Sequence, residues 1–415
     1  MSGLRIGLVT AYPPSQGRLA EYGWHLAHAL SATQGVSRVF VLADRSVAGA
    51  RRRDGRVDVL PSWTFGSPLL GPSILSATRR LPIDVLWFNI HMTSTGNNRL
   101  AWFGGVCGPA IARAAGYRVL VTLHNMLGLT DLRASGVRAR RWDVAAAHLA
   151  TRTLGFAHLV SVLRPEYVDL LESRYGLRNV VHLPHGTLGE PALEPPENDG
   201  RHIVAFGRFG TYKRLEPVIE AVRRLTAAGV PVRLSIGGSD SRHAPGYLMR
   251  LQRECASMTN VAFLGYVPEP EVPALFRSAA ICVLPYETMT GMSGVTMQAA
   301  MHGAPIVASD IPVFRTLERE GLCARFFDMR NVQSLTAALS ALLDDPAART
   351  RIAQANLIYA GAQRMSMVTR GYVSLMRALR DASAHQRLQF PTREPDLLAS
   401  DAWSRGSRVG ETRSP

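Results

Sequence analysis

Lysine is almost absent from this chain. The 415 residues carry 47 basic side chains, and of these only Lys213 is a lysine. The other 46 are arginine. A chain that uses arginine at nearly every cationic position makes one exception at residue 213, and we infer that this position requires a compact ammonium group rather than a planar guanidinium.

Cysteine is also scarce. No CxxC pair occurs, and no histidine stands at metal-ligand spacing from a cysteine, which argues against both a disulfide framework and a zinc site. We therefore expect free thiols at the four positions Cys107, Cys255, Cys282 and Cys323.

Long apolar runs are missing as well. No run reaches the roughly eighteen residues that a membrane-spanning helix needs. The first residues lack the basic, apolar and small-residue series of a signal peptide. We expect a cytoplasmic protein. The charge distribution also suggests peripheral contact with the inner face of the membrane.

The positive charge lies mainly in the first half of the chain. The net charge is +15. Residues 1–190 carry 21 arginines against 11 acidic residues, or +10, which leaves 26 basic against 21 acidic residues, or +5, for the rest. Such a surface fits an anionic substrate, an anionic membrane or nucleic acid, and equally a solvated surface. No nucleic-acid-binding motif is present, so we expect no nucleic-acid partner. The clusters at 51–56 and 138–141 are compatible with membrane contact.

The chain alternates between apolar strand-like runs and helical patterns. The run "RIGLVT" at 5–10 is followed by Pro13-Pro14 and then by helical periodicity from residue 18 to 30. This alternation is typical of a doubly wound parallel sheet. Ligands of such sheets bind at the carboxyl ends of the strands.

The alternation stops once and then restarts. Residues 186–202 are rich in Pro, Gly and Glu and show no periodicity, as expected of a linker. We therefore predict two Rossmann-like domains that face each other across a cleft. The predicted boundaries are 1–190 for an acceptor-binding domain, 191–200 for the linker, 201–365 for a nucleotide-sugar-binding domain, 366–384 for a C-terminal crossover helix and 385–415 for a flexible tail.

The sequence "FGRFGTYKRLEP" at 206–217 predicts an anion site. A strand ends near Gly207 and a helix begins near residue 215, so Arg208 and Lys213 lie on a loop beside the positive end of a helix. Two fixed cations at such a loop suit a diphosphate.

Further motifs complete a resemblance to a known family. "FLGYVP" at 263–268 and "QAAMHGAPIVASD" at 298–310 follow the cationic loop in order. Together these segments resemble the C-terminal half of a retaining glycosyltransferase of family 4, which has the GT-B fold. The resemblance implies that Arg208 and Lys213 bind the donor diphosphate in place of a metal ion.

The resemblance also implies the remaining donor contacts. Tyr266 and Val267 would face the nucleotide base. Gly207 would permit close approach of the diphosphate. The donor would be a nucleotide-diphosphate sugar, with no metal and no separate cofactor.

One part of the family pattern is absent. The family usually has a spaced pair of glutamates near the donor, but Gln298 stands at the second position and Thr290 near the first. Glu287 is the nearest glutamate and is a candidate contact for the transferred sugar. The run Ser293-Gly294-Val295 resembles a subgroup in which backbone amides at a helix start meet the diphosphate. Gln298 is a neutral candidate for the ribose hydroxyls.

The first domain offers fewer candidates. Gly17, between the first strand and helix, allows close backbone approach, although Arg18 replaces a second glycine that the family often has. His124, followed by Asn125, ends the run "VLVTLH" and matches a family histidine near the transferred sugar. We expect His185 to be mainly structural.

These observations predict a retaining, metal-independent hexosyltransferase. The acceptor would be a glycan, a glycolipid or a small molecule, in the synthesis of cell-surface polysaccharide or glycoconjugate. The alternative is a non-catalytic nucleotide-sugar-binding protein of the same fold. A dinucleotide-dependent oxidoreductase is disfavoured because the loop after the first strand lacks GxGxxG.

Overall fold

A computed structural model describes most of the chain. The described residues are 3–15, 18–45, 49, 51–90, 95–96, 98–124, 141–289 and 293–382. The chain divides into two compact units. Unit 1 comprises Met1–Gly128, Ala145–Leu188 and Met365–Pro415, and unit 2 comprises Leu129–Val144 and Gly189–Arg364. The predicted tail, 385–415, lies outside the described residues.

Strands and helices alternate along the described part of the chain, as the sequence pattern predicts. The strands are β1 (Leu4–Val9), β2 (Val36–Asp44), β3 (Arg52–Asp54), β4 (Val57–Trp63), β5 (Val85–Ile90), β6 (Val119–Leu123), β7 (Leu159–Val162), β8 (Val180–His182), β9 (His202–Phe209), β10 (Arg233–Asp240), β11 (Val261–Gly265), β12 (Ile281–Leu284), β13 (Ile306–Ser309) and β14 (Ala324–Phe327). The helices are α1 (Arg18–Ala32), α2 (Leu70–Thr78), α3 (Arg99–Ala114), α4 (Arg141–Leu154), α5 (Glu166–Tyr175), α6 (Glu216–Ala227), α7 (Tyr247–Glu254), α8 (Val272–Arg277), α9 (Gly294–Met301), α10 (Pro312–Arg319), α11 (Val332–Leu343), α12 (Pro346–Ala362) and α13 (Met365–Asp381).

Unit 1 is built on a sheet with the strand order β3-β4-β2-β1-β5-β6-β7-β8 among the described residues. Its pairs are parallel except for β3 with β4, which is antiparallel. One face is covered by α1 and α13, where the Trp87 and Tyr372 rings lie 4.2 Å apart. The other face is covered by side chains of α2, α3 and α5. Because both faces are covered, the central strands are mostly apolar.

Unit 2 repeats this architecture. Its described strands form a parallel sheet in the order β11-β10-β9-β12-β13-β14. Side chains of α6 and α11, including Ile219 and Leu335, cover one face. Side chains of α8 and α9, including Phe276 and Val295, cover the other. The expected fold class, two Rossmann-like doubly wound sheets, is confirmed.

Two glycines bring β9 and β10 into unusually close contact. Gly238 pairs with Gly207 across the two strands, and both have positive φ, +133° and +134°. A Cβ built on Gly238 would lie 1.8 Å from the carbonyl oxygen of Gly207. Only glycine fits at position 238, and this contact fixes the end of β9.

We expect Gly238→Ala to lower the free energy of unfolding by on the order of 2–4 kcal/mol, because the methyl group overlaps backbone that cannot yield cheaply. The matched control is Gly229→Ala, which also has positive φ, +77°, but has open space around its Cβ position. It should cost only about 1 kcal/mol. Urea unfolding measures the free energy of unfolding of both variants. Equal losses of stability in the two would contradict the close contact between Gly238 and Gly207.

Candidate active site

Lys213 lies over an aromatic ring in unit 2. It follows β9 and forms an isolated bridge with Tyr286, the second residue after β12. Its Nζ is 4.3 Å from the centroid of the Tyr286 ring and 5.9 Å from that of Tyr212. Because the face of an aromatic ring is electronegative, these contacts hold the ammonium group in one place.

The same ammonium group lies beside the end of β9 and the start of α9. A Cβ built on Gly207 would be 3.5 Å from Nζ of Lys213 and 3.5 Å from Cγ2 of Val295. Arg208 was expected on the loop, but β9 continues to Phe209, so Arg208 is a strand residue, and it is exposed. The structure thus brings together Gly207, Lys213 and Val295, which the sequence predicted separately as donor contacts.

The start of α9 is capped beside this group. Oγ of Ser293 accepts the backbone N–H of Thr296 at 3.2 Å, and Gly294 is the first helical residue. The hydroxyl of Tyr286, which is fully buried, lies 3.1 Å from Oγ of Ser293. One tyrosine therefore connects the lysine to the helix start. A helix N-terminus beside a fixed cation is an anion-binding arrangement.

Gln298 is buried within α9. Its Oε1 lies 3.1 Å from Nε2 of His302, one turn further along the helix. Burial, together with the charge of Arg277, lowers the pKa of His302 to about 4. The imidazole is therefore neutral near pH 7 and donates from Nε2 to the glutamine. Contact of Gln298 with a ribose stays a prediction.

Tyr266 and Val267 follow the edge strand β11. Tyr266 is 61% exposed. A Cβ built on Gly237 would lie 3.1 Å from Cγ2 of Val267 and 3.0 Å from Cδ2 of Phe206. Val267 therefore packs against the carboxyl-terminal halves of β9 and β10, and ligands of parallel sheets bind beyond the carboxyl ends of the strands. The role of both residues as base contacts stays a prediction.

Glu287 is an exposed residue directly after Tyr286. Its backbone N–H donates to the carbonyl of Tyr212 at 2.7 Å, so it is tied to the loop that carries Lys213. Its role as a sugar contact stays a prediction, and Thr290 lies outside the described residues.

In unit 1, His124 directly follows β6. Its Nε2 lies 2.6 Å from Oδ1 of Asn89, and Nδ2 of Asn89 donates to Oγ1 of Thr10 at 3.1 Å. Asn89 is fully buried near the end of β5. Sequence reasoning missed Asn89, although a lone amide in the apolar run "VLWFNI" was the available signal.

Two further rings lie around His124. The Tyr22 ring is 5.2 Å from the His124 ring and 4.5 Å from the His185 ring. The Tyr22 hydroxyl is buried without a hydrogen-bond partner among the described residues, and burial raises its pKa. Nδ1 of His185 lies 2.9 Å from the carbonyl of Gly186. Gly17 and Asn125 lie outside the described residues.

Metal ligands are not grouped in the described part of the chain. No cluster of three or more His, Cys, Asp or Glu side chains there is placed to hold a metal ion. In the same residues, no helix is long and apolar enough to cross a membrane.

Residues 200–345 match the family model for glycosyl transferases group 1. The similarity to that family therefore lies in unit 2. The matched segment contains every residue of the lysine, tyrosine and helix-start arrangement described above. The resemblance to glycosyltransferases, which the segments 206–217, 263–268 and 298–310 predicted, is thereby confirmed.

Relatives and solved structures extend the likeness beyond this domain. The D-inositol 3-phosphate glycosyltransferase of Pseudarthrobacter chlorophenolicus is 25% identical over 294 residues, which are 65% of this chain and 67% of that protein. Other curated relatives are matched over 37% to 67% of their own length. Sucrose-phosphate synthase from Thermosynechococcus elongatus superposes with a TM-score of 0.71 at 17% identity, covering 92% of this chain and all of that one. Anabaena HepE, solved in complex with UDP, superposes with a TM-score of 0.64 at 14% identity, covering 90% and 100%. The fold is GT-B.

We expect Ser293→Ala to weaken binding of a nucleoside diphosphate about tenfold, because it removes both the cap of α9 and the partner of the Tyr286 hydroxyl. Asn331→Ala is the matched control, since the Asn331 side chain caps α11 by accepting from Gln333 and Ser334. Both variants should lose about 1 kcal/mol of stability. Calorimetric titration with UDP and GDP measures binding. Equal affinity in the two variants would show that the cap of α9 has no part in the site.

Proposed function

We propose that this glycosyltransferase-fold protein is a retaining hexosyltransferase. It would move a hexose from a nucleotide-diphosphate sugar to a glycan, a glycolipid or a small molecule, in the synthesis of cell-surface polysaccharide or glycoconjugate. The observation that carries the proposal is the position of the Lys213 ammonium, held over the Tyr286 ring and beside Gly207 and Val295 at the start of α9.

In the proposed reaction, the bond between the anomeric carbon and the diphosphate oxygen breaks while the acceptor oxygen bonds to the same face of the sugar. The leaving phosphate takes the acceptor proton. Arg208 and Lys213 stabilise the negative charge that develops on the diphosphate, and the backbone amides at the start of α9 add to this. Since two side-chain cations supply the charge, the proposal requires no metal ion.

The donor is assigned to unit 2. HepE, whose fold this chain shares, was solved with UDP, which supports a nucleoside diphosphate as the leaving group. Tyr266 and Val267 are proposed to face the base, Gln298 the ribose and Glu287 the transferred sugar.

The acceptor is assigned to unit 1, with His124 beside the reacting sugar. The bond to Asn89 orients this imidazole, so that its position is fixed before a ligand arrives. Arg52, Arg53 and Arg56 are exposed along and beside β3. Peripheral membrane contact through these arginines stays a prediction.

The relatives favour an enzyme over a non-catalytic binding protein. The relative from Pseudarthrobacter chlorophenolicus is a transferase by name, and the matched structure from Thermosynechococcus elongatus is a synthase by name. Gln298, where the family usually has glutamate, keeps a hydrogen-bonding group in the buried face of α9.

We expect Lys213→Ala to lower kcat for donor hydrolysis and sugar transfer by about 10²-fold or more, because it removes a preorganised charge from the leaving group. The assay uses a panel of UDP- and GDP-sugars with and without sugar acceptors. Arg253→Ala is the control, since Arg253 is an exposed cation of α7 and should leave kcat unchanged. If the protein bound nucleotide sugars but turned over none of the panel, that result would contradict the proposal that it is an enzyme.

We expect Lys213→Arg to lose about tenfold in kcat as well. The ammonium lies 4.3 Å from the centroid of the Tyr286 ring and close to Gly207, and a longer, forked guanidinium would place its charge differently. Full activity of Lys213→Arg would show that the single lysine of this chain has no special role.

A further inference from the structure

The ring of Tyr247 packs against the beginning of the loop that carries Lys213. We call residues 210–215, between β9 and α6, the lysine loop. Gly210 opens this loop with a φ of +102°. A Cβ built on Gly210 would lie 2.8 Å from Cγ of Tyr247 and 2.7 Å from Cβ of Ala244. The loop backbone therefore lies directly on the Tyr247 side chain.

The hydroxyl of the same tyrosine holds the other end of the lysine loop. The backbone N–H of Leu215 donates to Oη of Tyr247 at 2.7 Å, and Oη donates to Oε2 of Glu216 at 2.5 Å. Leu215 is the N-cap of α6, and its own side chain makes no capping hydrogen bond. Tyr247 thus satisfies, from α7, a backbone amide at the start of another helix.

Glu216 fixes the direction of these two hydrogen bonds. Nε and Nη2 of Arg214 donate to its two oxygens at 3.2 and 3.1 Å, and Nη2 of Arg250 donates at 2.8 Å. Burial disfavours the charged carboxylate, but the bonds from Arg214, Tyr247 and Arg250 outweigh it and lower the pKa of Glu216 to about 2. An ionised carboxylate only accepts, so the Tyr247 proton points to Glu216 and its oxygen accepts from the loop.

Lys213 is hydrogen-bonded to the held start of the loop and lies two residues before its held end. Its carbonyl accepts the N–H of Gly210 at 3.0 Å, and the N–H of Arg214 donates to the carbonyl of Pro285 at 3.0 Å. A shift at either end of the lysine loop therefore displaces the ammonium relative to the Tyr286 ring. Displacements of about 1 Å are enough to cost a site much of its activity.

We propose that Tyr247 is a positioning residue of the donor site. Its ring holds the start of the lysine loop and its hydroxyl holds the end, and together they place the Lys213 ammonium where the donor diphosphate binds. The inference rests on the proposed function for what the ammonium binds. The placement itself is measurable without any substrate.

The test is Tyr247→Phe, which keeps the ring on Gly210 and removes the hydroxyl. Because the chain has one lysine, lysine labelled with ¹³C at Cε gives one side-chain NMR signal, that of Lys213, in protein that carries no lysine in a tag. We expect this signal to shift, and amide exchange of the lysine loop to quicken about tenfold. We expect kcat for donor hydrolysis to fall about tenfold, with KM changed by less than about threefold.

The control is Tyr175→Phe. It removes a hydroxyl that lies 2.6 Å from Nδ1 of His148 in unit 1, so it should leave the Lys213 signal, the loop exchange and kcat at their wild-type values. A merely structural role for Tyr247 predicts a lower melting temperature with wild-type kcat, and that result would overturn the proposal.

Failure of the proposed function gives a different pattern. Wild-type protein would then neither hydrolyse any donor nor bind UDP or GDP. In that case a shifted Lys213 signal in Tyr247→Phe still supports the positioning role, and an unchanged signal together with unchanged loop exchange overturns it.

Discussion

The position of one ammonium group depends on close contacts between backbones. Gly238 allows β10 to approach Gly207, and the backbone at Gly207 in turn leaves space for Nζ of Lys213. The centroid of the Tyr286 ring lies 4.3 Å from the same ammonium. A Cβ at position 238 would overlap the carbonyl of Gly207, and a Cβ at position 207 would lie 3.5 Å from Nζ of Lys213. The close approach of β10 to β9 therefore helps to determine where the Lys213 charge lies, and the proposed reaction needs that charge beside the diphosphate.

Tyr286 and Tyr247 contact different parts of the segment that carries Lys213. Tyr286 contacts the ammonium and reaches Ser293 at the start of α9, so it sets the distance between the two parts of the anion site. Tyr247 touches the backbone of the lysine loop and not its charge. Neither is acidic. With Gln298, they belong to a proposed donor site that lacks the glutamate pair usual in the glycosyltransferases that this chain resembles.

The sequence predicted those features that depend on local pattern. Apolar runs bounded by Gly and Pro predicted the parallel strands, because strands buried on both faces cannot alternate. The scarcity of lysine singled out Lys213, and the motif after it indicated the family. His124 followed from its place at a strand end, where a doubly wound sheet binds ligands.

Contacts between distant segments were not predictable. Tyr286 meets Lys213, and Tyr247 meets Leu215, only because the sheet order places their strands side by side. Asn89 reaches His124 for the same reason, since β5 and β6 are neighbours. No periodicity in a single sequence records which loops of a parallel sheet will meet. The orienting residues of both candidate sites therefore emerged from the structure alone.

The most direct test of this account is the NMR signal of the single lysine. Protein labelled with ¹³C-lysine is titrated with UDP and with GDP, and in parallel with uridine and guanosine, which lack the diphosphate. The account predicts a saturable shift of the Lys213 side-chain signal with at least one nucleoside diphosphate and none with the nucleosides. A nucleoside diphosphate that binds without shifting this signal would contradict it.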